Sequence, residues 1–119
     1  MDALKLKIKR HEKRKRHIRL SVSGTATRPR ISVFRSNLHL YGQVIDDERG
    51  VTLCSVATVQ KEFSQYKNNV NDAAILGEEL GKKMIEKNIK SAVFDRNGYL
   101  YHGVVKSFAD GVRKAGVVF

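Results

Sequence analysis

Four acidic residues are the first candidates for chemistry. Asp46, Asp47, Glu48 and Asp95 are of the type that hold paired metal ions for phosphodiester cleavage. Three of them share the segment Asp46-Asp47-Glu48-Arg49-Gly50, where acids are ordinary turn residues. Asp95, next to Arg96, reads as a strand-end residue with an ion partner. No nuclease motif surrounds either group. His11, His17, His39 and His102 lack metal-ligand spacing, no Ser or Cys has a recognisable base beside it, and no Walker-type glycine-rich loop is present. Cys54 is the single cysteine, which excludes an internal disulfide and a zinc finger. In its apolar run it reads as a small buried residue. The sequence therefore predicts no enzyme, no catalytic residue, no metal and no cofactor.

Binding chemistry is what remains. The chain has 119 residues, a formal net charge of +11 and a pI near 10.0. A small domain this basic meets a polyanion. Residues 1–30 hold eleven basic residues (Lys5, Lys7, Lys9, Arg10, Lys13, Arg14, Lys15, Arg16, Arg19, Arg28 and Arg30) against Asp2 and Glu12, a net of +9. The other 89 residues carry 12 basic and 10 acidic groups, a net of +2. A solvated charge run is the plainer reading of the first segment, but such an excess of one sign favours contact with phosphate.

These charges need elements to position them. Residues 1–20 contain good helix formers and neither Gly nor Pro. Leu4, Ile8 and Ile18 make only a thin apolar stripe, and like charges one turn apart repel. The expectation is a basic arm, helical but frayed alone and firm only against phosphate. Ser23–Thr27 reads as a polar linker, and Pro29 opens a strand where a missing N–H is tolerated. From there Ile31 and Val33 alternate with Arg30, Ser32 and Phe34. Ser36-Asn37 is a plausible two-residue turn, and a return strand runs from about Leu38 to Ile45. A third strand covers Val51–Ala57, completing a meander.

Residues 58–70 have no steady period and read as a surface loop. Asn71 suits the cap of a helix whose stripe is Ala73, Leu76, Leu80 and Met84, with Asn88 as its left-handed stop. Ser91–Phe94 is a short buried strand ending at Asp95. The crossover that reaches it predicts parallel pairing with a neighbour. A final helix over about 104–115 turns Val104, Val105, Phe108, Ala109 and Val112 to one side. The predicted fold is thus α/β: a mixed, mainly antiparallel sheet with helices on one face, plus the arm. The expected boundaries are 1–27 for arm and linker and 28–119 for the globule.

Helices on one face leave the other open. That face would carry Arg30, Ser32 and Phe34 beside His39, Tyr41 and Gln43. Aromatic rings stack on bases, and the polar groups reach phosphate and 2′-hydroxyl. The competing explanation is a cross-strand Phe–Tyr pair that only stabilises the hairpin.

Two blocks carry a family resemblance. One is Arg28-Pro29-Arg30-Ile31-Ser32-Val33-Phe34-Arg35-Ser36-Asn37, followed by His39, Tyr41, Gln43 and Val44-Ile45-Asp46-Asp47. The other is Val93-Phe94-Asp95-Arg96, followed by Gly98-Tyr99-Leu100-Tyr101-His102-Gly103 and Val105-Lys106. In this order they resemble the protein-eighteen family of the bacterial large ribosomal subunit, which binds 5S rRNA. The length, the basic arm, Ala115-Gly116 and Phe119 agree as well.

The resemblance implies a cytoplasmic, ribosomal, non-enzymatic protein. It would bind 5S rRNA, with 23S rRNA and neighbouring large-subunit proteins as further partners, in the central protuberance. Carried over by position, it implies RNA contacts from the arm (Lys9, Arg10, Lys13, Arg14, Lys15, Arg16 and Arg19). Further contacts would come from Arg30, Arg35, Ser36, Asn37, His39, Tyr41, Arg96, Tyr99, Tyr101, His102 and Lys106; Phe34 and Gln43 join them from the open face. Three positions depart from the family pattern. Leu38 stands where Lys is usual, Val104 where Arg is usual, and Asn97 where Gly is usual.

No homo-oligomer is expected. No apolar run approaches the roughly 20 residues that span a bilayer, and the N-terminus has no apolar segment of signal-peptide length. A membrane-surface role for the arm is the competing class, and without Trp or Phe its apolar face is too thin for one.

Overall fold

Alternation of apolar and polar residues at period two builds the sheet. A computed structural model of the chain describes residues 3–19, 23–36 and 38–119, with residues 17–19 as backbone alone. After the helix α1 (Ala3–Arg19) come β1 (Arg30–Arg35), β2 (Leu40–Asp46) and β3 (Val51–Ala57). Then follow a short 3-10 turn at Lys61–Phe63, α2 (Val70–Glu86), β4 (Val93–Asp95) and α3 (Val104–Lys114). The four strands lie in the order β3-β2-β1-β4. The meander is antiparallel, and β4 returns parallel to β1 with Ile31 opposite Phe94. The sheet is therefore mixed and mainly antiparallel, as expected.

Ile31, Val33, Leu40 and Val44 are fully buried against α2 and α3. Gly42 faces the same way. A Cβ there would lie 2.4 Å from Cζ of Phe108, so the glycine admits the largest ring of the core. The two helices approach as closely: a Cβ on Gly77 would sit 2.1 Å from the carbonyl oxygen of Phe108, and one on Gly111 2.2 Å from that of Ala74.

Several local expectations change. The β1–β2 connection is longer than two residues, because Arg35 pairs with Leu40 and Ser36 N donates to His39 O at 2.9 Å. Asn69, not Asn71, caps α2: its side chain accepts from Asp72 N at 2.8 Å, and Asp72 accepts in return from Asn69 Nδ2 at 3.1 Å. An acid three residues after the cap was the signal to follow. The segment 58–70 is not only surface, since it buries Phe63 in the core. Ser23–Thr27 is not a loose linker either. Gly24 N donates to Asp47 Oδ2 at 2.7 Å, and Gly24 O accepts from Asp47 N at 3.0 Å. Val104 is buried at the start of α3, so the position where the family usually has Arg belongs to the core here. Asn88 and Asn97 both adopt positive φ, 61° and 56°, as a helix stop and a tight turn require.

Candidate nucleic-acid interface

The sheet face turned away from α2 and α3 carries alternate residues of β1 and β2. Ser32, Phe34, Tyr41 and Gln43 line a shallow hollow of about 200 Å³ on it. Phe34 is opposite Tyr41 in the ladder, is 47% exposed, and its ring centroid lies 5.6 Å from that of Tyr41 at a 47° tilt. Tilted rings cannot both be covered by one another, so ring surface stays available to a flat partner. Gln43 is exposed. His39, at the hairpin, lies 6.3 Å from the Tyr41 ring and shares a 2.9 Å hydrogen bond between its Nδ1 and Thr58 Oγ1. That bond orients the imidazole. Thr58 is 19 positions away in sequence, so no local pattern pointed to it.

Arg30 occupies the same face but is committed inward. Its Nη1 donates to Asp95 Oδ2 at 2.9 Å, and its Nε and Nη2 donate to the two oxygens of Asp47 at 3.0 Å each. The side chain of Arg30 is 11% exposed and that of Asp95 is 0% exposed. Burial alone would lower the pKa of Arg30. The hydrogen bond and charge of Asp47, then those of Asp95, outweigh it, and the net shift is upward. Arg30 is therefore a locked cation that ties β1 to β4 and to the β2–β3 turn. The ion partner of Asp95 is Arg30 and not its neighbour Arg96. Asp46 meanwhile accepts from Glu48 N and Arg49 N at 3.1 and 3.3 Å, which makes the acidic segment a self-capped turn. Among the described residues no group of His, Cys, Asp or Glu is placed to hold a metal ion.

A second cluster forms where α1 meets the turn after β4. The ring of His11 lies 4.9 Å from that of Tyr99, and Arg14 Nε donates to Gly98 O at 3.2 Å. The helix α1 thus has support from the globule itself. The Tyr99 hydroxyl in turn donates to Arg35 O at 3.1 Å and accepts from Arg35 N at 3.2 Å, fixing the end of β1. Arg35 Nε donates to Asn68 Oδ1 at 3.1 Å, and Asn68 Nδ2 donates to Ser36 O at 2.8 Å. Asn68 escaped the sequence reading because its role is to hold two predicted contacts 32 and 33 positions upstream. Arg96 Nη1 donates to Tyr99 O at 2.6 Å. Lys9, Arg10, Lys13, Arg14 and Arg16 are exposed on α1, and Lys15 is half-buried.

The remaining predicted residues divide. His102 is exposed and lines a cleft with Lys7, His11, Arg14, Arg35 and Tyr99. Tyr101 accepts a 2.9 Å hydrogen bond from Arg113 of α3 and packs edge-on against Phe94. Lys106 is exposed on α3, away from the open face. The structure does not bring these two together with Phe34 and Tyr41. Asn37 and the side chain of Arg19 lie outside the described residues.

The described residues thus present a face of tilted aromatics and a helix of exposed cations. The family model for ribosomal L18 of archaea, bacteria, mitochondria and chloroplasts matches residues 5–119. The chain belongs to the ribosomal L18 family. A relative from Treponema denticola named large ribosomal subunit protein uL18 is 58% identical over 107 residues, covering 90% of this chain and 89% of its own. The protein of that name from Treponema pallidum is 54% identical, over 95% and 94% of the two chains. The one from Geobacter metallireducens is 49% identical over the whole of both. As an L18-family chain it is a structural ribosomal protein of the large subunit and not an enzyme. None of its described helices is long and apolar enough to cross a membrane.

Proposed function

We propose that this L18-family chain binds 5S rRNA and helps attach it to 23S rRNA in the central protuberance, beside neighbouring large-subunit proteins. The observation that carries this reading is the exposed ring of Phe34 beside the half-buried ring of Tyr41, on a sheet whose other face is sealed by helices. A ring pair 5.6 Å apart supplies stacking surface for unpaired bases. The cations of α1 supply attraction that depends on charge and not on base identity. Residues 1–27 act as the arm and 28–119 as the globule, with Gly24 fastening one to the other through Asp47. Arg35, Ser36 and His39 contribute polar contacts at the hairpin end of the same surface. Arg30 contributes by holding the strands in register and not by meeting phosphate itself.

The test is a filter-binding titration with labelled 5S rRNA against unlabelled tRNA as competitor. A charge-only surface would release 5S rRNA to tRNA at equal concentration. The expected outcome is retention of 5S rRNA at a large tRNA excess. Equal competition would overturn the 5S assignment while leaving a general RNA-binding role.

A further inference from the structure

Three exposed cations of α1 (Arg10, Lys13 and Arg14) face a fourth, Arg96, across a cleft of about 360 Å³. Among the described residues no carboxylate lines it. Two of the three guanidinium groups are held in place by backbone. Arg14 spends Nε on Gly98 O, and Arg96 spends Nη1 on Tyr99 O, which leaves the rest of each fork directed by a fixed anchor. Four cations converging without a counter-charge repel one another and favour an anion between them. Guanidinium forks match the oxygens of a phosphate.

The cleft exists only because α1 is seated on the turn. Gly98 has φ of +82°, and a Cβ there would lie 3.1 Å from His11 O and 3.2 Å from Lys15 N. The helix backbone thus rests against a residue with no side chain, and His11 lies against Tyr99 beside it. We infer that docking of α1 on the Asn97-Gly98 turn builds a two-sided phosphate site, with Arg10, Lys13 and Arg14 on one wall and Arg96 on the other, so that seating the arm and binding the RNA backbone are linked. This rests on the RNA-binding reading above. Gly98 and His11 are positioning residues, since they act by placing the walls.

The experiment is a double-mutant cycle in the full chain, read as 5S rRNA affinity against salt. One arm carries Arg10→Gln with Lys13→Gln, and the other carries Arg96→Gln. Walls of one site gripping one phosphate lose it when either is removed. The combined variant is then expected to bind hardly more weakly than the worse of the two, and the slope of log K against log salt to fall by about 0.7–0.9 in each. Affinity losses that multiply would show separate contacts and overturn the inference. Seating is read without RNA, by the rate of tryptic cleavage within residues 5–16. Gly98→Ala is expected to speed that cleavage and to weaken RNA binding together. His11→Ala, which leaves the turn backbone untouched, serves as the second variant should Gly98→Ala not fold. Cleavage unchanged in a folded variant would overturn the seating. Inorganic phosphate at millimolar concentration slowing cleavage of the parent chain would show the site accepting a lone phosphate. A lack of protection would separate seating from phosphate binding and overturn the linkage. Should 5S rRNA and tRNA bind equally well, the 5S reading fails while the cycle still decides this one; no binding to either overturns both.

Discussion

Asp95 and Arg30 meet at 2.9 Å across the parallel seam between β1 and β4, with the carboxylate wholly out of water. A buried ion pair of this kind adds little over an apolar substitute, but breaking it leaves a charge without compensation. Arg30→Ala is therefore expected to lower stability by about 3–5 kcal/mol. RNA affinity per folded molecule should hold nearly constant. Chemical denaturation and filter binding on the same preparation measure both. A normal melt with a large affinity loss would return Arg30 to the RNA-contacting set.

Tyr41→Ala should show the opposite split. Stacking of one base on an aromatic ring is worth roughly 1–3 kcal/mol, so 5S rRNA binding should weaken about tenfold or more. The fold loses the tilted contact with Phe34 and the edge-on contact with His39, so the melting temperature should move little. A drop in melting temperature with unchanged affinity would make the pair a hairpin clasp.

Removal of residues 1–20 takes away nine cations, from Lys5 to Arg19, and, among the described residues, none of the hydrophobic core. Cooperative melting should persist. The slope of log K against log salt should fall by about 3–4 if roughly half of those charges meet phosphate. Weaker, 5S-selective binding should remain through the sheet face. An unchanged slope would mean that the arm does not touch RNA.

Gly77→Ala tests packing against propensity. In an exposed helix the change is worth roughly 1 kcal/mol in favour of Ala. Here the new methyl would stand 2.1 Å from backbone oxygen of α3, which has no side-chain freedom with which to yield. The sign should invert, with a loss of at least about 1–3 kcal/mol. A gain in melting temperature would show that the helices can part without cost.

Cys54 gives a pH-dependent readout. Burial pushes its thiol above the ordinary value of 9.0, more than Lys87 and Lys83 pull it down. The folded chain thus keeps the proton longer than the unfolded chain. Stability from this group is intact below pH 9.0 and declines as pH rises beyond it. The alkaline decline should be shallower in Cys54→Ala, and iodoacetamide should label native protein more slowly than unfolded protein at pH 8. Equal labelling rates would contradict the shift.

Strands and helices were legible because their burial is periodic: Ile31, Val33, Leu40 and Val44 on one side, Ala73, Leu76, Leu80 and Met84 on another. The open face followed from the same alternation. What the sequence could not display were partnerships at long range. Arg30 and Phe34 look alike as alternate residues of β1, yet one is claimed by carboxylates 17 and 65 positions away while the other faces outward. Charge identifies a cation and says nothing about whether another part of the chain has already neutralised it. The support of His11 by Tyr99 and of Arg35 by Asn68 was hidden for the same reason.

The reach of Arg30 also implies an order of assembly. Asp47 is 17 positions away, within the meander, whereas Asp95 is 65 away and must close a far longer loop. Local pairings form sooner than distant ones. The expected order is that one acid engages the guanidinium while it is still wet, and that it becomes dry when β4 arrives with the second. The last strand docks onto a cation already oriented for it, so desolvation of the pair falls at the end of folding, when the geometry that compensates it is complete.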